Sequence, residues 1–220
     1  DPRCKLMILC NPMNPVGSVM TQQEVDAIAA ICEQHNVKLC SDEIHCDLIL
    51  NEQVKHIPAG RVAALQDRSI TLMAASKTFN VAGLGTSFAI IPDASLRRKF
   101  TQAAAGIVPW ANIMGLEATR AAFTEGDEWL AEQIAYLREN RDYLVSRIND
   151  IDGLSVVSAD ATFLAWIDGS GLGVADVQQW CESKGVGPSP GKDFGAPQFF
   201  RINFGCSRAM LTEILDRLSK

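Results

Sequence analysis

Residues 6–45 read LMILCNPMNPVGSVMTQQEVDAIAAICEQHNVKLCSDEIH. The stretch opens on a short apolar run, Leu6–Cys10, closed by Asn11-Pro12. That is the pattern of a strand buried on both faces. In Thr21-Gln22-Gln23-Glu24 the Thr hydroxyl and the Glu carboxylate are spaced to cap each other's backbone N–H groups, so a helix starts here. Val25, Ile28, Ala29 and Cys32 recur on one face and carry that helix over 22–35. Residues 37–43, VKLCSDE, then read as a second buried strand that ends in acids. Strand, helix and strand at this spacing predict a parallel pair joined by a helical crossover.

Working outward, ITLMAAS (70–76) is a third strand and TSFAII (86–91) a fourth, stopped by Pro92. The link from Lys77 to Thr86 is shorter than the dozen or so residues a helical crossover needs, so the fourth strand is expected to run antiparallel. Helices follow over 94–106 and 111–124, broken near Pro109. Residues 127–149 form one long helix whose apolar positions are Trp129, Ile134, Leu137, Tyr143 or Leu144, and Ile148. Beyond the turn at Asp152-Gly153 come LSVV (154–157), TFLAWI (162–167), a helix over 174–184, FFRIN (199–203) and a last helix over 209–219. This is an α+β unit. The domain boundary is expected inside or just after the long helix, near residue 145, giving 1–145 and 146–220.

The 220 residues are 47% hydrophobic and 21% charged, ordinary globular values, with a formal net charge of -6. The pI is near 5.1 and no block of Lys or Arg stands out. Nucleic acid and anionic membrane are therefore excluded as expected partners. No apolar stretch approaches the roughly 20 residues that span a bilayer. The seven cysteines are odd in number, lack a C-x-x-C pair and sit largely in apolar runs. They read as free thiols in a reducing compartment, with no disulfide and no zinc site. With no secretory signal pattern, the expected location is cytoplasmic. The chain opens on Asp1-Pro2 without a Met and enters a buried-strand pattern almost at once, as a fragment or a processed chain would.

In open α/β sheets ligands bind beyond the carboxyl ends of the strands. Three strands here are followed by Asn11–Gly17, by Ser41–His45 and by Ala74–Thr78. They carry an amide, a carboxylate and an amine toward one edge. A lysine in a loop is ordinarily solvated. Lys77, however, follows a buried strand and precedes the apolar turn Phe79–Leu84, and an amine shielded from water favours its neutral form, a nucleophile for carbonyls. Asp42 reads either as a helix N-cap or as a carboxylate held against a buried cation such as a pyridinium nitrogen. His45 reads as structural or catalytic. Asn14, between Pro12 and Pro15, is an Asn-Pro turn or a rigidly presented donor to a ring oxygen.

At this point the motifs carry a resemblance. NPMNPVG (11–17), SDEIH (41–45), ASKTFNVAGL (75–84) and RINFGCSR (201–208) resemble, in order, the signature of fold-type-I pyridoxal-phosphate (PLP) enzymes of the aminotransferase class I and II group. DEIH, ASKTFN, GDEWLAEQIAYLREN (126–140), TFLAWID (162–168) and RINFGC are similar to its MalY/PatB branch of cystathionine β-lyases and cysteine-S-conjugate lyases. The resemblance spans essentially the whole chain. It implies an α/β fold: part of an aspartate aminotransferase-like large domain with a mostly parallel sheet, followed by a small α+β C-terminal domain. It implies pyridoxal 5'-phosphate as cofactor, a small amino-acid substrate, and a homodimer for the full-length parent.

The same resemblance implies roles. Lys77 bonds the cofactor and moves the substrate Cα proton. Asp42 pairs with the pyridine nitrogen. Asn14 donates to the ring's phenolic oxygen, with His45 beside that oxygen. Arg201 clamps the substrate carboxylate, for which its planar fork is suited. Two positions depart from the pattern. Ala74 stands where many relatives carry a hydroxyl toward the cofactor phosphate, and Gly85 where many aminotransferases carry an Arg. Family members are much longer, and their first half supplies the phosphate cradle and the stacked aromatic. The four strands would then form a block of a larger sheet, with one unprotected edge. The implied activity is C–S lyase β-elimination giving pyruvate and ammonia. The alternatives are an aminotransferase and a non-catalytic fragment lacking the phosphate-binding half.

Overall fold

In the computed structural model, which describes residue 1 and residues 3–220, Thr21 caps the first helix reciprocally. Its Oγ1 accepts the Glu24 N–H at 3.3 Å, and Glu24 Oε2 accepts the Thr21 N–H at 2.8 Å. The Thr21 N–H and the Thr21 hydroxyl, both donating to the Glu24 carboxyl, hold it below its ordinary pKa. The helix, α1 (Gln22–Gln34), joins β1 (Leu6–Cys10) to β2 (Lys38–Asp42) as a parallel pair, with Leu6 opposite Lys38 and Cys10 opposite Asp42. Its buried side, Val25, Ala29 and Cys32, faces inward, and the local core joins Ala29 and Cys32 to Leu9, Val37, Leu39, Ala59 and Leu65. Full burial of a leucine such as Leu39 is worth roughly 1.5–3 kcal/mol.

β3 (Ser69–Met73) lies parallel to β2, and β4 (Phe88–Ile90) pairs antiparallel with β3, as the short connection requires. The sheet order is β1-β2-β3-β4. β1 and β4 are therefore both edge strands within this chain, where one open edge was expected. Ile8 on β1 is 72% exposed and Ile90 on β4 49%. The third strand also ends earlier than its apolar run. Ala74 is the last extended residue, at φ -158° and ψ 142°, and α2 (Ala75–Thr78) starts behind it, closed by the Phe79 N–H to Ala75 carbonyl bond at 2.9 Å. Lys77 thus stands on a helical turn. α3 (Ala94–Ala104) and α4 (Ile113–Glu125) follow, capped by Asp93 and Asn112, and Pro109 lies between them. The long helix α5 (Asp127–Asn149) has the predicted extent.

The chain divides into two compact units. The first holds residues 1–12, 19–49 and 53–131; the second holds residues 13–18, 50–52 and 132–220. The division falls inside α5, after its first turn. The second unit has its own sheet of β5 (Ser155–Val156), β6 (Leu164–Asp168), β7 (Ser189–Pro190) and β8 (Phe199–Asn203) in the order β5-β6-β8-β7, every pairing antiparallel. α6 (Val177–Ser183) and α7 (Arg208–Leu218) complete it. Its core includes Leu144, Ile148, Ile167, Phe200, Phe204, Leu211 and Leu215. β6 starts later than the apolar run because Thr162 sits at φ 73° in the left-handed region, where its Oγ1 accepts the Leu164 N–H at 3.1 Å. β7, two residues ending in a proline, has no sequence pattern that announces it.

All seven cysteines are free thiols. Burial pushes Cys46 and Cys181 up to about 12, with Asp47 and Glu43 adding to the effect at Cys46. No helix of the described residues is long and apolar enough to cross a membrane, and no metal-ligand cluster occurs among them.

Candidate active site

In the first unit, β2 and β3 run parallel and deliver their carboxyl ends to the same edge. Asp42 is the last residue of β2 and is half-buried. Its Oδ1 accepts the Ile44 N–H at 3.4 Å. His45 follows in a tight turn held by the Cys46 N–H to Glu43 carbonyl and Leu48 N–H to His45 carbonyl bonds, and it is 3% exposed. Lys77 stands just beyond the end of β3, half-buried, and among the described residues its amine has no hydrogen-bond or ion-pair partner. The adjacent Thr78 Oγ1 is buried and also unpartnered among the described residues. Such a hydroxyl calls for an acceptor or donor from outside this set.

Between Asp42 and His45 lies a residue whose weight the sequence did not reveal. Glu43 is 1% exposed. Its Oε1 accepts from Ser41 Oγ at 2.8 Å and from the Ala59 N–H at 2.9 Å, and its Oε2 lies 2.8 Å from His56 Nε2.

In the second unit, the segment Met13–Ser18 folds on itself through the Gly17 N–H to Met13 carbonyl bond at 2.7 Å, and the Ala161 N–H bonds the Gly17 carbonyl at 2.9 Å. Gly17 sits at φ 77°, and a Cβ there would come within 2.5 Å of the Ala159 Cβ, so both backbone and space require glycine. Asn14 rides on this loop. Arg201, on β8, donates from Nη1 to Asn14 Oδ1 at 2.8 Å and from Nη2 to Ser189 Oγ at 2.9 Å, with the Phe194 ring 5.1 Å from its guanidinium carbon. A carboxamide turned this way presents its oxygen to the guanidinium and its NH₂ as the donor end. Trp166, opposite Arg201 in the ladder, packs edge-on against Phe194 and stacks on Phe199.

The loop after β8 is held from α5. Asn140 is fully buried. Its Nδ2 donates to the carbonyls of Phe204 and Cys206, both at 2.9 Å, and its Oδ1 accepts from Arg208 Nε at 2.9 Å. The Arg208 N–H bonds Tyr136 Oη at 2.8 Å. Two distant motifs, LREN and RINFGCSR, are thus one hydrogen-bonded structure.

Each predicted residue can now be located. Asp42, His45 and Lys77 belong to the first unit, Asn14 and Arg201 to the second, and the last two are bonded to each other. Of the departures, Ala74 is 6% exposed and leaves α2 without a side-chain cap. Gly85 sits at φ 57° with open space around its Cα, so an Arg would fit there but would carry a left-handed backbone. Sequence reasoning missed Glu43, His56, Ser189, Phe194 and Asn140. The available signal for Glu43 was an acid closing a buried strand, which ordinarily needs partners. No local pattern marks the others.

A family model for aminotransferase class I and II matches residues 1–218. The chain is 36% identical to cystathionine beta-lyase PatB of Bacillus subtilis (strain 168), over 99% of this chain and 58% of that protein. It is 47% identical to OvoB, whose crystal structure superposes with a TM-score of 0.96 over 99% of this chain and 58% of that one. The crystal structure of cystalysin from Treponema denticola, which contains a pyridoxal 5'-phosphate cofactor, is 30% identical with a TM-score of 0.91, over 98% of this chain and 56% of that one. The chain therefore spans a little over half the length of these relatives. A strand-end carboxylate, an amine one turn beyond the neighbouring strand and a family match over nearly all of its residues together lead to one statement: this chain belongs to the aminotransferase class I and II family.

Proposed function

We propose that the full-length protein is a PLP-dependent C–S lyase that cleaves cystathionine, cysteine or a related conjugate and releases pyruvate and ammonia. One observation carries the reading. Lys77 stands half-buried just past β3, without a hydrogen-bond or ion-pair partner among the described residues, beside the parallel strand that ends in Asp42, in a chain similar to cystathionine beta-lyase PatB. The donor set fits PLP. A carboxylate suits a pyridinium nitrogen, an amine suits an aldehyde, and a carboxamide suits a phenolic oxygen.

When bound, PLP supplies a ring that draws electron density from the substrate Cα. The chain's own groups do the rest. Lys77 would hold the cofactor and later take the Cα proton. Asp42 would keep the ring nitrogen protonated, Asn14 would donate to the phenolic oxygen, and His45 would stand beside that oxygen. Arg201, already oriented by Asn14 and Ser189, would receive the substrate carboxylate through two parallel N–H bonds. Loss of the β-sulfur group then follows removal of the Cα proton.

The family description itself favours a second reading, amino transfer, which shares every step through Cα deprotonation. The two part at product. Incubating the purified full-length protein with PLP and cystathionine and measuring pyruvate against keto-acid-dependent amino transfer decides between them; absence of both products rejects both. A third reading, a non-catalytic fragment, applies to the 220 residues taken alone and is supported by their covering 58% of PatB. It predicts no visible absorbance band near 420 nm on adding PLP to this segment, the band expected of family members. On the family resemblance we read the full-length protein as a cytoplasmic homodimer, which size-exclusion chromatography and fractionation of cells test.

A further inference from the structure

Glu43 and His56 are buried, ionisable and unused by the reading above, with side chains 2% and 8% exposed. We propose that they are a positioning pair that fixes Asp42 and the turn bearing His45. The proposal rests on the assignment of Asp42 to the cofactor ring.

The Glu43 carboxylate collects three bonds, from Ser41 Oγ, from the Ala59 N–H and from His56 Nε2. A carboxylate has no proton to give, so His56 Nε2 is the donor of this bond, and its Nδ1 is buried without a partner among the described residues. Ser41 and Glu43 flank Asp42 in the chain. Side chains alternate along extended backbone, so Ser41 and Glu43 share one face and Asp42 takes the other. Bonding Ser41 to Glu43 therefore clasps the strand on both sides of Asp42. The ladder completes the grip: the Asn11 N–H donates to the Asp42 carbonyl at 3.1 Å, and the Glu43 N–H to the Leu72 carbonyl at 3.0 Å. Through His56 and Ala59 the clasp also ties the loop after His45 back to the end of β2.

Glu43 and His56 border a cavity of about 260 Å³ lined also by Cys46, Pro58, Met73 and Ile90, and hydrogen bonds hold their polar atoms beside it. Burying a carboxylate is costly even when it is paired. A strand end that needed only closure could use a neutral side chain. Holding a neighbouring carboxylate against a ring nitrogen demands tighter placement, since a site group must sit within about 0.5 Å of its working position.

The test uses the full-length protein loaded with PLP and compares wild type with Glu43→Ala, Glu43→Gln and His56→Phe. Three quantities are read: the PLP dissociation constant, the pH midpoint of the visible absorbance of the bound cofactor, and the unfolding temperature of the cofactor-free form. Glu43→Ala should weaken PLP binding by about tenfold or more, the equivalent of one charge-assisted bond. Its pH midpoint should move upward. A loosened Asp42 leaves the ring nitrogen less protonated, and losing that positive charge makes the nitrogen that joins Lys77 to the cofactor easier to protonate. His56→Phe should shift both in the same direction by less. Glu43→Gln keeps an acceptor oxygen for Ser41 and Ala59 but turns its NH₂ toward His56 Nε2, so it should shift both quantities about as far as His56→Phe and less than Glu43→Ala. A Glu43→Ala protein with a lowered unfolding temperature but unchanged affinity and midpoint would overturn the proposal and leave a structural role. Should Glu43→Ala not fold, an unchanged affinity and midpoint in His56→Phe overturns it equally. A wild-type protein with no visible cofactor band overturns the functional reading and this proposal together, whereas a normal wild type with unmoved variants overturns the pair alone.

Discussion

Arg201 donates to the Asn14 side-chain oxygen at 2.8 Å, across 187 positions of sequence. The bond joins a loop near the start of the chain to a strand near its end within one compact unit. It fixes one arm of the guanidinium while Ser189 fixes another, and the Phe194 ring lies against its face. A fork held at two points is pre-ordered for a planar carboxylate, so little side-chain entropy remains to be lost on binding.

Arg201→Lys should therefore raise KM for cystathionine by about 10- to 100-fold in the full-length protein, the loss of one charge-assisted bond at roughly 1.5–3 kcal/mol. The absorbance of bound PLP should be unchanged. Steady-state kinetics beside a visible spectrum checks both, and an unaltered KM would remove Arg201 from the substrate site.

Lys77→Ala should abolish covalent retention of the cofactor. Borohydride treatment of the PLP-loaded wild type should leave the cofactor mass on the peptide carrying Lys77, and on no peptide of the variant. Turnover should fall by about 10²- to 10⁴-fold, the usual range for removing a positioned proton-transfer group. Cofactor found on a different lysine would refute the assignment.

Asn140→Leu removes the group that satisfies two backbone carbonyls and Arg208 Nε from a fully buried position. Leaving buried partners unsatisfied costs about 1–3 kcal/mol each, with partial relief where water reaches Arg208, so a loss of about 2–4 kcal/mol is expected. Urea unfolding of wild type and variant measures it. A midpoint shift near zero would mean that the loop after β8 does not depend on α5.

The Cys46 and Cys181 thiols are raised from 9.0 to about 12 in the folded state, chiefly by burial. Their contribution to stability is thus fully present below the ordinary thiol range and lost as pH rises through 9 toward 12. The urea midpoint should fall as pH is raised from neutral into this window. The decline should be shallower in Cys46→Ala once its own baseline loss at neutral pH is subtracted. Both thiols should resist a thiol reagent near neutral pH until the chain is unfolded, whereas the exposed Cys4 should be open to it. Rapid modification of Cys46 in the native protein would contradict its burial.

Much of this architecture is legible in local pattern. The Thr21–Glu24 cap, the apolar stripe of α1 and the buried runs of β1 and β2 lie within a few residues of one another, and hydrophobic periodicity carries that information directly. The antiparallel turn of β4 followed from the length of its connection alone. Lys77 and Asp42 could be singled out because each sits at the end of an apolar run, where a parallel sheet gathers its functional groups. Ordered motifs then named the family.

Other features needed the folded chain. That Met13–Ser18 belongs with the C-terminal unit, that Asn14 is held by Arg201, and that Asn140 anchors the segment after β8 are matters of contact between residues 64 to 187 positions apart. Glu43 shows the difference most plainly. Its sequence position beside Asp42 is that of any strand-end acid, and only the closure of the loop carrying His56 and Ala59 turns it into a buried, three-bonded carboxylate. Local sequence determines which backbone segments extend or coil, because those preferences act through neighbouring atoms. Which polar groups meet is decided by tertiary closure, because a buried donor or acceptor takes whatever partner the completed fold brings within hydrogen-bonding distance.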